Sequence, residues 1–579
     1  MSKARDIADS TKTLDVDGGT IKLDGNYPVG TGNVALGDTA LDSNVSGAQN
    51  TAIGDSALTA NTSGSINVAV GYNAGSAVTT GVFNTIIGGN AGDALTDADF
   101  NVAVGTFALT VDTLGSRSTA LGYGTLSTQN FTSATNSLNT AVGYFAGNAV
   151  TTGVSNTLIG SFAGDALTDA DNNVAIGIGA LGADTKGSRS IAIGESALAT
   201  QNFTTGTITY NTVVGAAAGF AVTTGINNTL IGGLAGDAIT TGGANVALGT
   251  SALSSNTTAS NNTAVGYQAS YANTTGTRNL ASGNLALYAN TTGNNNVALG
   301  SQSLQANTTA SDNTSVGYAS LNVNTTGANN VALGKFALLN NTTASNATAV
   351  GYQAMLSNTT GGENVAIGRE ALRTMTTAGA NTAVGYQAGN FTTTGTNNTF
   401  IGRRAGYNMT TGSKNTMLGG YNGNQGGLDI RTASNNIVLS DGDGNPRIMY
   451  INGNGPTMFG MSSGAGTNTL KYHNGNGIIT FDTSSRRYKN NIRDSVYGLS
   501  AVNQMRSTMF EYKDSGNTDV GLIAEEMNEI IPELVGKNSD NQPDSVSYDR
   551  LVSVLIKAVQ ELSATNDALT ARITALEGA

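Results

Sequence analysis

The chain has 579 residues, of which 77 are Gly and only 11% are charged, and its formal net charge is −12. The acidic balance argues against nucleic-acid binding, which requires basic patches, and no apolar stretch is long enough for a membrane span. Because the chain has no Cys, its stability cannot depend on disulfides. The low charge also argues against a charge-driven disordered chain.

Residues 1–32 precede the first repeat. Met1–Ala8 contains charges with no hydrophobic stretch after them, so we expect no signal peptide. This argues against a bacterial surface adhesin, which would need a signal peptide and a C-terminal membrane anchor. Residues 1–32 are expected to be either a segment that attaches the chain to a larger assembly or a frayed end that caps the first coil.

Residues 33–421 are a repeat array with a period of 17 residues. The unit reads Asn-Thr/Val-Ala-Val/Ile/Leu-Gly, and its glycine recurs in 23 units from Gly37 to Gly419. Two steps are 21 residues long because of four-residue insertions near 127–138 and 199–210. A short fixed period predicts a solenoid with one coil per unit, and we expect the two insertions to bulge from it as loops.

Each unit has the pattern of a short strand that ends at a turn. Thr or Val and the aliphatic residue two positions later share one face, while the intervening Ala keeps the other face small. Glycine then turns the chain where a side chain would be strained. Stacked Asn side chains are expected to form an amide ladder along the axis. We expect so thin a coil to bury little apolar surface alone and to need three-chain packing for its core.

This unit resembles the Asn-x-Ala-Ile-Gly repeats of trimeric autotransporter adhesin heads, and the resemblance implies a parallel β-roll. At about 4.8 Å per stacked coil, the array would span roughly 110 Å.

Tyrosine follows the repeat glycine in seven units, where an aromatic ladder that packs coil on coil is favoured over stacking on sugars. These tyrosines are Tyr72, Tyr123, Tyr144, Tyr267, Tyr318, Tyr352 and Tyr386.

Residues 422–483 do not follow the 17-residue period. The segments 435–440 and 447–451 have strand character, and the intervening Asp441-Gly-Asp-Gly-Asn445 is typical of a tight turn. The Asp-x-Asp-x-Asn spacing could also bind calcium, but no Glu follows at the distance that an EF-hand requires. A hairpin is therefore the favoured interpretation.

The last residues of the chain predict a coiled coil. Leucine recurs every seven residues and a second, mostly aliphatic seam accompanies it, as expected for a and d positions. Asn566 lies in this second seam, where a polar residue typically fixes the register. The leucines are Leu555, Leu562, Leu569 and Leu576, and the second seam consists of Val552, Val559, Asn566 and Ile573.

The motifs of residues 484–579 resemble, in their order, the intramolecular chaperone domain of bacteriophage tailspikes and tail fibres of the endosialidase type. The family's start motif is matched by Ser484, Arg487, Lys489 and Ile492, while Ser485 stands where the family usually has Asp. Further matching motifs are Gly521–Glu526, Ile531–Val535 and Tyr548–Leu551. The resemblance implies that this domain assembles three copies of the chain and is then removed by its own serine.

The implied cleavage falls on the bond between Thr483 and Ser484, with Ser484 as nucleophile and Lys489 as base. A serine hydroxyl becomes a good nucleophile only when an adjacent base takes its proton. Lysine can act as that base only when desolvation or neighbouring cations lower its pKa, and Arg486 and Arg487 could supply the cations. The alternative is a basic surface loop without chemistry.

These observations predict an all-β fold class: a trimeric parallel β-solenoid, a small β region and an α+β chaperone domain that ends in a coiled coil. The predicted function is a homotrimeric phage tail fibre, made in the host cytoplasm and located in the virion, which attaches to the host surface. The N-terminus is expected to bind other tail or baseplate proteins.

The candidate receptor contacts are Tyr450, Tyr472 and His473, in the segment left at the distal end after cleavage. The expected receptor is a cell-surface glycan or protein. A purely structural fibre is the main alternative, and a polysaccharide-degrading tailspike is another. The regular array argues against the tailspike, because a glycosidase needs two carboxylates facing each other across a cleft. His473 is the only His, so one chain cannot build a His-rich metal cluster or a Ser-His-Asp triad. Three copies of His473 about a trimer axis could chelate a metal, but a surface histidine is favoured, and we expect no metal and no cofactor.

Overall fold

The structure is a computed structural model that describes residues 30–451 and 489–578, apart from 514–515 and 539. Between these ranges it describes only the backbone of three short strands, Thr457–Met458, Leu470–Tyr472 and Ile479–Phe481. The chain divides into two compact units, Met1–Phe459 and Gly460–Ala579. Of the predicted N-terminal segment, residues 1–29 lie outside the described residues.

Residues 30–451 form a β-solenoid in which each coil contributes one short strand, here called a rung. Twenty-four rungs lie in a single sheet within this range, which contains no helix. Each rung pairs with the next in parallel and in register, as in the pairing of Val297 with Thr314 and of Ala298 with Ser315. The predicted solenoid with one coil per repeat is confirmed.

The rungs are Val34–Leu36, Thr51–Ile53, Val68–Val70, Thr85–Ile87, Val102–Val104, Thr119–Leu121, Thr140–Val142, Thr157–Ile159, Val174–Ile176, Ile191–Ile193, Thr212–Val214, Thr229–Ile231, Val246–Leu248, Thr263–Val265, Leu280–Ser282, Val297–Leu299, Thr314–Val316, Val331–Leu333, Thr348–Val350, Val365–Ile367, Thr382–Val384, Thr399–Ile401, Thr416–Leu418 and Ile437–Ser440.

An asparagine stands before most rungs and closes its coil, while Ser118, Ser190 and Ala347 take this position in three coils. The Asn279 carboxamide donates through Nδ2 to Gly293 O (2.8 Å), and its Oδ1 accepts the backbone N–H of Asn296 in the next coil (3.0 Å). A second buried ladder runs through another asparagine of the repeat, as where Asn290 Nδ2 donates to Asn273 Oδ1 (2.8 Å). The predicted amide ladder is thus confirmed and is double in these coils. It satisfies backbone groups that would otherwise be buried without partners.

The repeat glycine is required by both its conformation and its surroundings. Gly317 has a φ of 136°, and a Cβ built on it would lie 2.7 Å from the carbonyl oxygen of Gly334 in the next coil. Each coil also places non-glycine residues in the left-handed region, such as Ser251 (φ 55°), Leu253 (φ 54°) and Asn261 (φ 62°). This conformation costs on the order of 1 kcal/mol per residue. The regular stacking of the coils therefore has to outweigh it.

A single chain closes its own core, which corrects the expectation that a coil is too thin to do so. A continuous cluster of buried side chains extends from Ala40 to Val438. A typical coil contributes Ala281, Ala286 and Leu287, all fully buried. Because alanine is small, the interior of the coil can be narrow and still be filled. Many aliphatic side chains on the outer face of the rungs stay partly exposed.

The two insertions bulge only in part. In the first, residues 132–134 are exposed, but Gln129 is fully buried and Phe131 is 6% exposed. The second insertion has the same arrangement at Gln201 and Phe203. Each adds a short parallel strand pair beside the main ladder: Gly115–Ser116 with Thr135–Asn136, and Gly187–Ser188 with Thr207–Ile208. The insertions are therefore anchored in the solenoid.

The solenoid ends one rung later than the predicted array, because Ile437–Ser440 pairs in parallel with Thr416–Leu418. The strand Pro446–Tyr450 then returns antiparallel to it, which confirms the predicted strand, turn and strand.

A small hairpin, Asn424–Gln425 with Leu428–Asp429, interrupts the last coil. Fully buried Tyr421 lies just before that hairpin, where its hydroxyl donates to Leu428 O (2.9 Å) and burial raises its pKa.

The C-terminal unit combines short strands with three helices in the part that the structure describes. The helices are Leu499–Gln504, Ala524–Ile530 and Tyr548–Glu577, and Pro532–Leu534 forms a 3-10 turn. Its antiparallel pairs are Leu470–Tyr472 with Ile479–Phe481, Thr508–Glu511 with Thr518–Gly521, and Val535–Lys537 with Pro543–Val546. Within the described residues, no helix is both long enough and apolar enough to cross a membrane.

Candidate functional site

The predicted cleavage dyad is described only at its lysine. Thr483 and Ser484 lie outside the described residues, so the structure provides no distance between the serine hydroxyl and the lysine amine. Lys489 is exposed. A lysine that acts as a general base needs desolvation or neighbouring cations. Since Lys489 is exposed in the isolated chain, the assignment of Ser484 and Lys489 stays a prediction.

The C-terminal unit has a small core that holds the first part of its long helix. Val554 of that helix is buried with Ala501, Met527 and Ile531. The Glu561 carboxylate accepts the backbone N–H of Leu499 (2.7 Å), where the first helix begins. These contacts fix one face of the helix Tyr548–Glu577 against the rest of the unit.

The heptad face of the same helix is exposed in the single chain. Leu562 is 46% exposed and Leu569 is 54% exposed, although leucine is normally buried in folded proteins. Asn566 is also exposed. The helix is as predicted, and its a/d seam is left available for other helices.

The predicted receptor contacts fall in or beside short strands. Tyr450 ends the strand Pro446–Tyr450 and is 47% exposed. Tyr472 ends the strand Leu470–Tyr472, of which only the backbone is described, and His473 lies outside the described residues. The positions of these three side chains relative to one another therefore lie outside what the structure describes, and their assignment as receptor contacts stays a prediction.

The Asp441–Asn445 turn is organised by hydrogen bonds to one carboxylate. Asp441 accepts the backbone N–H of Asn445 (2.8 Å), the backbone N–H of Asp443 (3.1 Å) and the guanidinium of Arg447 (2.7 Å). The Asn445 and Arg447 contacts lower the pKa of Asp441 to about 2. The carboxylate is thus engaged by its own turn, which supports the hairpin interpretation over the calcium site.

The tyrosines that follow the repeat glycine stack in part with basic residues. Tyr123 and Tyr144 stack with centroids 5.6 Å apart. Further along, the guanidinium of Arg369 lies 5.6 Å from the Tyr352 ring and 5.8 Å from the Tyr386 ring. This row is therefore a partly exposed ladder that packs aromatic rings from coil to coil, as predicted, and adds cationic groups that the prediction did not include.

An open groove of about 670 Å³ lies where the last coils meet the small hairpin. We call it the junction groove. The predictions from sequence missed it, because its walls come from separate coils and from the hairpin. The available signals were Phe391 and Asn408 at equivalent repeat positions and the pair of charges in Asp429-Ile-Arg431. The lining residues are Thr374, Phe391, Thr393, Asn408, Thr410, Asp429, Arg431 and Thr432.

The floor and one wall of the junction groove are held rigidly. Backbone N–H groups donate from Phe391 to Tyr407 O (3.0 Å), from Thr393 to Thr410 O (2.9 Å) and from Thr410 to Arg431 O (3.0 Å). Phe391 is 42% exposed, and its ring meets the Tyr407 ring edge to face at 5.0 Å. The groove therefore presents a fixed aromatic ring beside polar groups.

A bidentate ion pair forms the hairpin side of the groove. Arg431 donates through Nε to Asp429 Oδ1 (3.0 Å) and through Nη2 to Asp429 Oδ2 (2.8 Å). The hydrogen bonds between the two side chains lower the pKa of Asp429 and raise the pKa of Arg431. Both side chains are exposed, so the pair contributes little to stability, but it fixes two planar polar groups in place.

Two other carboxylates are buried within the solenoid, one beside each insertion. Asp112 accepts hydrogen bonds from Gln129 Nε2 (2.6 Å) and from the backbone N–H groups of Gly115 and Phe131 (both 3.1 Å). Burial raises the pKa of Asp112, and Asp184 has the same environment. These groups anchor the insertions and do not reach the surface. Among the residues described here, no cluster of His, Asp and Glu could hold a metal ion.

Comparison with protein families finds a match for part of the C-terminal segment. Residues 484–536 match the family described as the chaperone of endosialidase. This match supports the resemblance predicted from the motifs at Ser484 and Gly521–Glu526. No curated protein and no solved structure matches the chain. The chaperone match covers a small part of the sequence, and the described part of it contains Lys489 and the first two helices of the C-terminal unit.

Proposed function

We propose that this chain is the subunit of a homotrimeric phage tail fibre that attaches to the host surface. The observation that supports this function is the combination of a 24-rung solenoid with a C-terminal segment that matches the endosialidase chaperone family. A solenoid provides an extended, repetitive surface. The chaperone segment provides a means of assembling such chains, which have few features that fix their register.

Exposed apolar rows support assembly into a trimer. The long C-terminal helix leaves Leu562 and Leu569 about half exposed, and burying such a seam is the driving force of a coiled coil. Aliphatic side chains such as Leu248 and Ile401 are also exposed on the rungs. The number of three chains comes from the family resemblance.

Removal of the chaperone by cleavage before Ser484 completes the proposed assembly. The Ser484 hydroxyl would attack the carbonyl of Thr483 while Lys489 takes its proton. The bond from the Thr483 carbonyl carbon to the Ser484 nitrogen would then break, with the proton passing to the released amine, and water would hydrolyse the resulting ester to free the two chains. Since Lys489 is exposed in the single chain, the desolvation that a lysine base needs would have to come from trimer assembly. This order of events would prevent premature release.

The charge distribution suggests which part meets the cell. Residues 30–317 contain fourteen acidic and four basic residues, whereas residues 318–421 contain two acidic and six basic residues. The C-terminal end of the solenoid is therefore repelled less by an anionic surface than the N-terminal end is. We place the receptor contacts at this end, with Tyr450, Tyr472 and His473 as candidates, and attachment to other tail or baseplate proteins at the N-terminus.

Intact mass and sedimentation of the purified protein test the assembly. We expect a trimer and a product that begins at Ser484, and we expect Ser484→Ala and Lys489→Ala each to remain full length. Cleavage of Ser484→Ala at the same bond would refute the dyad, and a stable monomer at micromolar concentration would refute the trimer.

Adsorption of labelled fibre to host cells tests attachment. A trimer whose residues 422–483 come from another fibre should lose the original host specificity. Unchanged specificity would move the binding surface to the repeats, where stacked tyrosines could bind with avidity. Adsorption of the wild-type fibre to no host cell would favour the alternative of a purely structural fibre.

A further inference from the structure

We propose that the junction groove, lined by Phe391, Asn408, Asp429 and Arg431, binds a neutral saccharide. This inference rests on the proposed attachment function and names its site and ligand class. The volume of about 670 Å³ lies within the range of about 300–1,000 Å³ that is typical of small-ligand sites. It can accommodate a short oligosaccharide.

The aromatic ring provides the apolar part of the site. Phe391 is 42% exposed at the groove, and the edge-to-face contact with Tyr407 at 5.0 Å restrains its orientation. The Tyr407 ring is held in turn by the Arg404 guanidinium, 5.2 Å from its centroid. A pyranose ring has an apolar face of C–H groups that packs on such a ring by dispersion.

The polar groups around this ring match the hydroxyls of a sugar. The Asn408 carboxamide makes no hydrogen bond within the described residues, so its donors and its acceptor are available to a ligand. The Asp429–Arg431 pair holds one acceptor group and one donor group side by side. Each group keeps unused hydrogen-bonding capacity, and their fixed arrangement suits two neighbouring hydroxyls without a large ordering cost.

The groove is less suited to other classes of ligand. Its two charged side chains, Asp429 and Arg431, have opposite signs and are paired, so it offers no net charge to a polyanion. The backbone N–H groups of Thr393 and Thr410 already donate to neighbouring coils, so a peptide cannot add to them as a strand. In the described part of the chain, Asp429 is the only carboxylate that lines the groove. Since a glycosidase needs two carboxylates, we assign binding and not hydrolysis.

Saturation-transfer NMR and calorimetry on the protein as purified in its assembled state test this site. The probes are neutral oligosaccharides of glucose, galactose and mannose, with an oligogalacturonate as the acidic comparison. We expect binding of at least one neutral probe. Phe391→Ala should weaken this binding on the order of tenfold, which corresponds to about 1.4 kcal/mol for the lost contact. Arg431→Ala should weaken it as well.

Phe162→Ala is the matched control, because Phe162 is also 42% exposed but lies on a distant coil of the same solenoid. It should leave binding unchanged. The proposal is overturned if no neutral probe binds, if only the oligogalacturonate binds, or if Phe391→Ala binds as tightly as the wild type. A melting temperature equal to that of the wild type checks that each variant is folded.

Adsorption to host cells separates this proposal from the proposed function. If Phe391→Ala adsorbs as the wild type does and no neutral probe binds, the groove assignment fails and attachment stands. If neutral probes bind and Phe391→Ala abolishes that binding, while the wild type adsorbs to no host cell, the groove stands and host attachment fails.

Discussion

Replacing one ladder asparagine should destabilise the solenoid locally, and Asn296→Ala is the sharpest test. Asn296 is fully buried. Its Nδ2 donates to Ala310 O (2.9 Å), and its Oδ1 accepts the backbone N–H of Asn313 in the next coil (3.1 Å). Ala310 O keeps a second donor, Asn307 Nδ2 (3.0 Å). The Asn313 N–H loses its acceptor and becomes a buried, unsatisfied donor.

The expected cost follows from these two contacts. A lost hydrogen bond costs about 0.5–1.5 kcal/mol net, and a buried donor left without a partner costs about 1–3 kcal/mol. The local free energy of opening should therefore fall by about 1.5–4.5 kcal/mol. Since about 1.4 kcal/mol corresponds to a factor of ten, the Asn313 amide should exchange with solvent at least about tenfold faster. Hydrogen exchange with mass spectrometry measures this change where exchange reports the opening equilibrium.

The matched control is the neighbouring variant Asn295→Ala. Asn295 is exposed and has a φ of 56°, and Ala380 occupies the equivalent position of another coil with a φ of 57°. This variant should change exchange at Asn313 less than about threefold, as expected for a surface substitution within about 0.5 kcal/mol. Equal exchange rates in Asn296→Ala and Asn295→Ala would refute the role of the buried ladder.

Four further predictions concern other parts of the chain. Ala347 stands where most coils have the asparagine of the ladder. Ala347→Asn should therefore stabilise its coil by about 1 kcal/mol, because it supplies the missing carboxamide oxygen, and slower local hydrogen exchange would show this. Gly317→Ala should destabilise the solenoid by about 3 kcal/mol or more, since it adds backbone strain and places a Cβ 2.7 Å from the next coil. The control is Gly179→Ala, whose Cβ meets nothing within 4 Å. Equal melting temperatures of the two variants would contradict this prediction. The Asp441 pKa is lowered to about 2, so its contribution is present above about pH 4 and lost as pH falls through 2. Hydrogen exchange of the hairpin, corrected for intrinsic rates, should show that loss in the wild type and not in Asp441→Asn. Leu562→Asp should dissociate the proposed trimer in sedimentation, and an intact trimer would exclude the heptad seam from the interface.

The sequence predicted the repeat architecture well because the same signal occurs many times. A single Asn-Thr-Ala-Val-Gly unit is weak evidence for a strand, but a repeat from Gly37 to Gly419 defines both the period and the position of the turn. The glycine and asparagine roles were predictable because each follows from one side chain, or its absence, at a fixed place. The chaperone segment was predictable for a similar reason, since several motifs occur there in order.

Other features depend on which residues the fold brings together. Phe391 and Asp429 are 38 residues apart in sequence, and only the stacking of coils and the turn of the hairpin place them in one groove. The closed alanine core was also missed, because the thickness of a coil depends on where the left-handed residues turn the backbone. Aspartate is rarely fully buried, yet the insertion buries Asp112 beside Gln129.

The sequence by itself determined the period, the rungs, the residues that stack and the resemblance of the C-terminal segment to the endosialidase chaperone family, because each is a local pattern or a repeated one. Only the tertiary structure decided that one chain fills its own core, that the insertions are anchored and that a groove with paired charges opens beside Phe391. The physical reason is that burial and cavities arise from contacts between coils. Their geometry depends on the whole backbone path and is not contained in any single repeat.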